Sequence, residues 1–133
     1  MDYQNFHTHP INKIIHFFCI PLIVITTMTI ISKKYNYCNL YEFMIVLFLL
    51  NYLINYSIND FILMILYYGF CDFFSFKWQQ RKFWLKECVV VFILAWIAQF
   101  IGHYIEGNRP VLLFSISTAV FQAPLFSVKY LFC

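Results

Sequence analysis

The chain has 133 residues, of which 62% are hydrophobic and 11% are charged, against roughly 45–50% and about 25% in an average soluble domain. So few polar residues could not cover the surface of a soluble fold, and the composition therefore excludes a soluble globular protein. We predict a multi-pass integral membrane protein whose residues 1–133 form a single membrane-embedded domain in contact with membrane lipid. The net charge of +3 is spread along the chain and predicts no nucleic-acid partner.

Five apolar stretches follow one another along the chain, each near the length of about 17–25 residues that a membrane-spanning helix needs. They predict an all-α fold, a polytopic membrane helical bundle of four to five spans. The first and last stretches contain Pro21 and Pro124, which membrane helices tolerate when neighbouring groups satisfy the freed carbonyl. The predicted spans cover residues 14–31, 40–56, 58–74, 83–104 and 111–132.

A polar corner at residues 55–60 separates the second and third stretches, which are short, so we expect a helical hairpin or a re-entrant pair. Asn51, Asn55 and Asn59 recur at a spacing of four, which would place them on one face of a helix. Asparagines on membrane helices supply interhelical hydrogen bonds. With Asp60 they also leave open the alternative of a small transporter with a polar line through the membrane.

Lysine and arginine are distributed unequally between the two sides that five crossings would create. The positive-inside rule places the richer side in the cytoplasm and the N-terminus on the opposite side. By the same parity, the start of the first span and the end of the fourth share one membrane face, provided that the 40–74 region crosses twice or not at all. The richer side receives Lys33, Lys34, Lys77, Arg81, Lys82, Lys86 and Lys129, and the other side receives Lys13 and Arg109.

Three histidines lie at the edges of apolar stretches, His7 and His16 around the start of the first and His103 at the end of the fourth. A titratable side chain at this depth is costly without a partner, and imidazole is the commonest metal ligand in proteins. Pro10 suits the first turn of a helix, which makes His9 its natural cap. The spacing alone leaves His7 and His9 equally open as partners of His16.

Gln99, His103 and Glu106 recur at spacings that place them on one stripe of the fourth helix. Glu106 lies one turn beyond His103, within reach as a ligand or as a carboxylate that orients an imidazole, and we take Gln99 and Glu106 as candidate catalytic residues. Gly102 leaves room for another backbone or a substrate. Several histidines with one carboxylate suit iron(II) or zinc. The alternative is a non-enzymatic helical membrane protein whose histidines are structural.

Two sequence patterns carry a resemblance. Near the N-terminus the chain has His7-x4-Asn12-x3-His16-x4-Pro21. Further along it has Trp96-x2-Gln99-Phe100-Ile101-Gly102-His103-x2-Glu106-Gly107-x2-Pro110, followed by Ala123-Pro124-Leu125-Phe126. Together they resemble the small endoplasmic-reticulum family whose yeast member is the 2-hydroxy-fatty-acid dioxygenase of α-oxidation, and the resemblance extends over nearly the whole chain.

This resemblance implies an iron(II) (Fe²⁺)-dependent oxidoreductase that shortens a 2-hydroxy long-chain fatty acid by one carbon with O2. It implies His7, His16 and His103 as metal ligands, favours His7 over His9, and places Glu106 on a motif position. It also implies the endoplasmic reticulum of a eukaryote, or the inner membrane of a bacterium. Residues 111–116, Val-Leu-Leu-Phe-Ser-Ile, depart from the Asp-Asn pair that the family often has there, a difference that bears on substrate choice and activity.

Overall fold

The computed structural model describes residues 7–34, 38–107, 109–110 and 116–129, and within these ranges every regular element is helical. The all-α prediction is therefore confirmed. A π-helical turn at Ile30–Lys34 directly follows the first helix. The helices are α1, Pro10–Thr29; α2, Cys38–Asn55; α3, Ile58–Gln79; α4, Trp84–Glu106; and α5, Ile116–Lys129.

The ends of α1 and α4 follow from local chemistry. Pro10 opens α1, where its missing N–H is not needed, and the Lys13 N–H donates to the carbonyl of His9 at 3.1 Å. α4 stops at Gly107, whose φ of 80° is the left-handed conformation that glycine adopts just beyond a helix. The Gly107 N–H donates to the carbonyl of His103 at 3.0 Å. These two helix ends carry the predicted site residues.

The polar corner between α2 and α3 forms the predicted helical hairpin, whose two helices pack against each other. α2 ends at Asn55, and the Ser57 hydroxyl caps α3, as expected of serine at this position. Asn59 therefore belongs to α3, and it does not share a helix face with Asn51 and Asn55 as we expected. The Asn55 amide donates to the Asn51 carbonyl in its own helix, at 3.2 Å. That expectation was wrong because the break after Asn55 ends the four-residue repeat.

Three helical segments are long and apolar enough to cross a membrane, and a shorter apolar one spans Glu42–Asn55. Their outer faces carry large exposed hydrophobic side chains, for example Leu66 with 67% of its surface exposed. Apolar patches of this extent are typical of surfaces that contact lipid. α1 and α3 are longer than the predicted spans, whereas residues 111–115 and 130–132 of the fifth span lie outside the described residues. The long segments are Pro10–Ser32, Ile58–Gln79 and Trp84–Glu106.

The chain divides into two compact units. The first comprises Met1–Ile23 with Ile93–Cys133, and the second comprises Val24–Phe92. The first contains the predicted site residues. That residues 1–133 form a single membrane-embedded domain stays a prediction.

A buried polar network joins the end of α1 to α3 within the second unit. The Thr29 hydroxyl lies 2.9 Å from the Ser75 hydroxyl, and the Gln79 amide donates to the Ser32 hydroxyl at 2.6 Å. Thr29, Ser32 and Ser75 are all at most 5% exposed. Hydrogen bonds of this kind hold membrane helices together where the hydrophobic effect cannot, because lipid tails are as apolar as the side chains.

Candidate metal centre

The first unit brings together three imidazoles from distant parts of the chain. His7 precedes α1, His16 lies within α1, and His103 lies in the last turn of α4. Their side chains are only 1%, 1% and 4% exposed, and their ring centroids lie 4.4–4.9 Å apart. Each offers a ring nitrogen within 4.8 Å of the others. Among the residues that the structure describes, they form the one cluster of metal-binding side chains.

The hydrogen bonds of His16 determine which of its nitrogens can bind a metal. His16 Nδ1 lies 2.9 Å from the backbone carbonyl oxygen of Asn12. Because a carbonyl only accepts, Nδ1 carries the proton and neutral His16 presents a lone pair at Nε2. That Nε2 lies 3.1 Å from Nε2 of His7. A histidine that donates through one nitrogen to a carbonyl while the other nitrogen binds is the usual arrangement at metal centres.

The three histidines fit a divalent transition-metal ion. Two nitrogens bound to one ion at about 2.1 Å lie roughly 3.0–3.4 Å apart when they are adjacent ligands, and the His7–His16 separation of 3.1 Å falls within this range. His103 Nδ1 is buried and has no hydrogen-bond partner among the described residues. Three imidazolium cations could not be packed so closely, since like charges repel strongly away from water. A set of neutral imidazole donors suits iron, zinc, copper or nickel.

Glu106 binds the N-terminal segment and is not part of the histidine cluster. Its Oε1 accepts from the backbone N–H of Thr8 and from the Thr8 hydroxyl, the latter at 2.8 Å. Its Oε2 accepts from the Asn12 side-chain amide. Thr8 directly follows His7, and Asn12 lies one turn before His16. The carboxylate therefore ties both N-terminal histidines to the helix that carries His103.

α1 and α4 approach each other closely at Asn12 and Gly102. The Asn12 side chain is fully buried, and a Cβ atom added at Gly102 would lie only 2.4 Å from Asn12 Oδ1. We expected Gly102 to make room for a backbone or a substrate, and the space is taken by this asparagine. The backbone carbonyl oxygen of Asn12 contacts His16, and its side-chain amide donates to Glu106. Together with the close contact at Gly102, Asn12 therefore touches three residues of the site.

Gln99 and His9 differ in their relation to the cluster. Gln99 lies one turn before His103 on α4, is 8% exposed, and its Nε2 has no hydrogen-bond partner in the described ranges. His9 is only half-buried, and its Nδ1 accepts from the Ile11 N–H at 3.2 Å. His9 therefore caps the start of α1, as its position before Pro10 predicted. His7, and not His9, lies beside His16.

Thr8 is the site residue that the sequence analysis missed. Its contact with Glu106 joins residues 98 positions apart, and helical periodicity contains no information about such a pair. For Asn12 a signal existed, because it stands four residues before His16 and is part of the N-terminal pattern.

These observations define the class of the protein: it is helical, three of its helical segments could cross a membrane, and its buried histidine triad could hold a metal ion. The chain belongs to the 2-hydroxy-palmitic acid dioxygenase Mpo1-like family, which matches residues 1–132. The family expected from the two sequence patterns is therefore confirmed. Neither a curated protein nor a solved structure matches this chain.

Proposed function

We propose that this protein is an iron(II)-dependent dioxygenase that shortens 2-hydroxy long-chain fatty acids by one carbon, the chemistry of fatty-acid α-oxidation. The observation that carries the proposal is the buried cluster of His7, His16 and His103. Its support is that the cluster occurs in a chain of the 2-hydroxy-palmitic acid dioxygenase Mpo1-like family. The substrates would be the membrane-borne acid and O2.

Iron is favoured over zinc by the reaction and not by the ligands. Imidazole binds both metals, but zinc has no redox chemistry, and the proposed reaction consumes O2. Iron(II), when bound by His7, His16 and His103, would supply a Lewis acid and a redox partner for O2. The protein's contribution is to hold the three imidazoles neutral, buried and correctly oriented.

The proposed reaction balances without a further co-substrate. The bond between C1 and C2 of the 2-hydroxy acid breaks, C2 becomes the carboxyl carbon of the shortened acid, and C1 leaves as CO2. Oxidation of C2 from the alcohol to the acid releases three electrons, and oxidation of C1 releases one. One O2 accepts all four, and the remaining oxygen and hydrogen atoms leave as one water. We therefore expect one O2 consumed for each acid shortened.

Gln99 is our candidate for binding the polar head of the substrate. A buried amide N–H without a partner costs free energy, and Gln99 Nε2 has none among the described residues. A carboxylate or a 2-hydroxyl oxygen would accept a hydrogen bond from it. Gln99 lies on the same stripe of α4 as His103, one turn away, so a head group held there would be beside the imidazoles.

Glu106 is proposed to act as a positioning residue. Both of its oxygens accept hydrogen bonds from the segment that carries the N-terminal histidines, so it would hold His7 and His16 against α4. Partners that orient metal ligands contribute about 10–100-fold to metal affinity or activity. This role replaces the direct ligation that the stripe on α4 left open.

The outer face of α4 would let the acyl chain remain in lipid. Phe100, Ile101 and Tyr104 flank the buried stripe and are 46%, 51% and 86% exposed, whereas Gln99 and His103 on the same helix are buried. A long-chain acid could keep its tail against these exposed side chains while its head reaches the buried polar groups. Binding then requires no transfer of the tail between water and protein, because the tail stays in an apolar environment throughout.

The test is iron(II) binding by detergent-purified protein under anaerobic conditions, with the iron content measured after desalting. The informative variant is His103→Asn. Its matched control is His9→Asn, which makes the same substitution outside the cluster and keeps a residue that caps helices well. We expect about one iron per chain in the wild type and in His9→Asn, as one triad binds one ion, and a loss in His103→Asn.

The outcomes separate the enzyme from its alternatives. Iron retained in folded His103→Asn would mean that the triad does not hold the metal. If none of the folded proteins binds iron, the histidines are structural and the non-enzymatic alternative stands. If iron binds as expected, incubation with 2-hydroxypalmitate and O2 should yield the acid that is one carbon shorter, and palmitate should yield none.

A further inference from the structure

The corner between α3 and α4 carries a second polar cluster, which lies wholly within the second unit. Glu87 is its centre. Its carboxylate accepts from Arg81 Nε at 2.6 Å and from a second Arg81 nitrogen at 3.0 Å. It also accepts from the indole N–H of Trp78 at 3.0 Å. Such a two-pronged pair fixes the geometry of the guanidinium group, so Glu87 holds Arg81 and Trp78 in defined positions.

A shallow cavity of about 530 Å³, largely open to the surface, lies between these side chains. One part of its wall is apolar, and the other part is charged. The volume is within the usual range of sites that bind small molecules, roughly 300–1,000 Å³. The wall consists of Phe74, Val91, Trp78, Lys77, Arg81 and Glu87.

The charge around the cavity is net positive. Between residues 77 and 87 the chain has four cations and one carboxylate, Glu87, which is paired with Arg81 through two of the three guanidinium nitrogens. Lys77 lines the cavity, and its ammonium group lies 5.7 Å from the centre of the Phe73 ring. Clusters of four or more lysines and arginines next to a membrane helix are typical of sites for anionic lipid head groups. The remaining cations are Lys82 and Lys86.

The depth of the cavity also fits a head group. It lies where Ile58–Gln79 ends and Trp84–Glu106 begins, at the ends of two segments able to span a membrane. Tryptophan is enriched at this level of the bilayer, and Trp78 forms part of the wall. Phe74 and Val91 lie further along the two helices, where acyl chains would pass.

We propose that this cavity binds one anionic phospholipid, with its phosphate at Lys77 and Arg81 and an acyl chain along Phe74 and Val91. The site is separate in residues from the histidine cluster and does not depend on the proposed dioxygenase activity. Binding would be non-covalent, and the lipid would hold the corner between α3 and α4 in the bilayer.

The experiment is native mass spectrometry of the detergent-purified full chain, titrated with dioleoyl phosphatidylglycerol. Dioleoyl phosphatidylcholine and oleate are titrated in parallel. Lys77→Gln removes a cation of the wall, and Lys82→Gln removes a cation of the same corner that does not line the cavity. Both lysines are exposed, so both variants should fold. Val91→Trp, which narrows the cavity without changing the charge, is a third variant.

We expect one phosphatidylglycerol per chain, bound more tightly than phosphatidylcholine. Lys77→Gln should weaken it about fivefold, the effect of one basic residue near an anionic lipid. Val91→Trp should also weaken it, and Lys82→Gln, at a lysine that does not line the cavity, should weaken it less than Lys77→Gln does. Equal loss in both lysine variants with none in Val91→Trp would show diffuse attraction and overturn the site. Oleate binding as tightly as phosphatidylglycerol would mean that the cavity holds a fatty acid and would overturn the phospholipid assignment.

Discussion

The close approach of Asn12 to Gly102 gives a sharp test of how the site is assembled. Gly102→Ala would place a methyl group 2.4 Å from Asn12 Oδ1 and 3.3 Å from Asn12 Cγ. Ordinary contact begins at 3.4 Å, so the methyl group would overlap the oxygen by about 1 Å. The asparagine is fully buried, and moving its side chain away would stretch its hydrogen bond to Glu106.

The magnitude follows from comparing two glycines that both lie inside helices. At Gly69, in α3, an added Cβ meets no atom within 4 Å. Alanine should therefore stabilise α3 by roughly 1 kcal/mol, because glycine is the poorer helix former. Gly102→Ala has the same gain in helix propensity, but the overlap costs about 1–3 kcal/mol, as overpacking of buried sites does. The two variants should differ by that amount in their free energy of unfolding.

The assay is unfolding of the detergent-purified proteins, followed by far-UV circular dichroism, together with iron(II) affinity by competition with a chelator. We expect Gly102→Ala to be less stable than Gly69→Ala and to bind iron more weakly, because a displaced Asn12 side chain loses its hydrogen bond to Glu106, which ties the N-terminal histidines to α4. Asn12→Ala in the Gly102→Ala background should restore part of the stability, since neighbouring substitutions are not additive. If Gly102→Ala and Gly69→Ala unfold alike, the packing of α1 against α4 is not as we describe it.

Four further predictions concern single side chains. Gln99→Leu should leave the iron content unchanged and raise KM for the 2-hydroxy acid by about tenfold or more, the effect of losing a hydrogen bond to a charged group; an unchanged KM would remove Gln99 from the substrate site. Glu106→Gln keeps the shape but loses one of the two oxygens that accept from Thr8 and Asn12, so chelator competition should show iron affinity lowered by about 10–100-fold, and unchanged affinity would contradict its positioning role. Gly107→Ala should lower the free energy of unfolding by roughly 1–2 kcal/mol, because alanine is strained at the φ of 80° found there; a gain in stability would contradict that conformation. Thr29→Val removes the hydroxyl that meets Ser75 and should cost about 0.6 kcal/mol in denaturant titration, whereas no change would mean that the pair contributes nothing.

The helices could be predicted well because their signals are local. Apolar length located all five, and the polar corner located the hairpin. Errors arose where a local pattern continued across a break. Asn59 kept the spacing of Asn51 and Asn55 although the helix had ended. A four-residue spacing does not by itself register a helix end, so the polar corner at residues 55–60, which predicted the break, should have ended the repeat.

The sequence by itself predicted the membrane character and determined the helical class, the family and the three histidines as candidates, because composition, periodicity and motifs are local properties of the chain. Only the tertiary structure showed that His7, and not His9, lies in the histidine cluster. It also showed that the hydrogen-bond partners of Glu106 are Thr8 and Asn12. The Glu106 contacts join residues more than 90 positions apart. They depend on how α1 and α4 approach each other at Gly102, and packing of this kind follows from the shapes of whole helices.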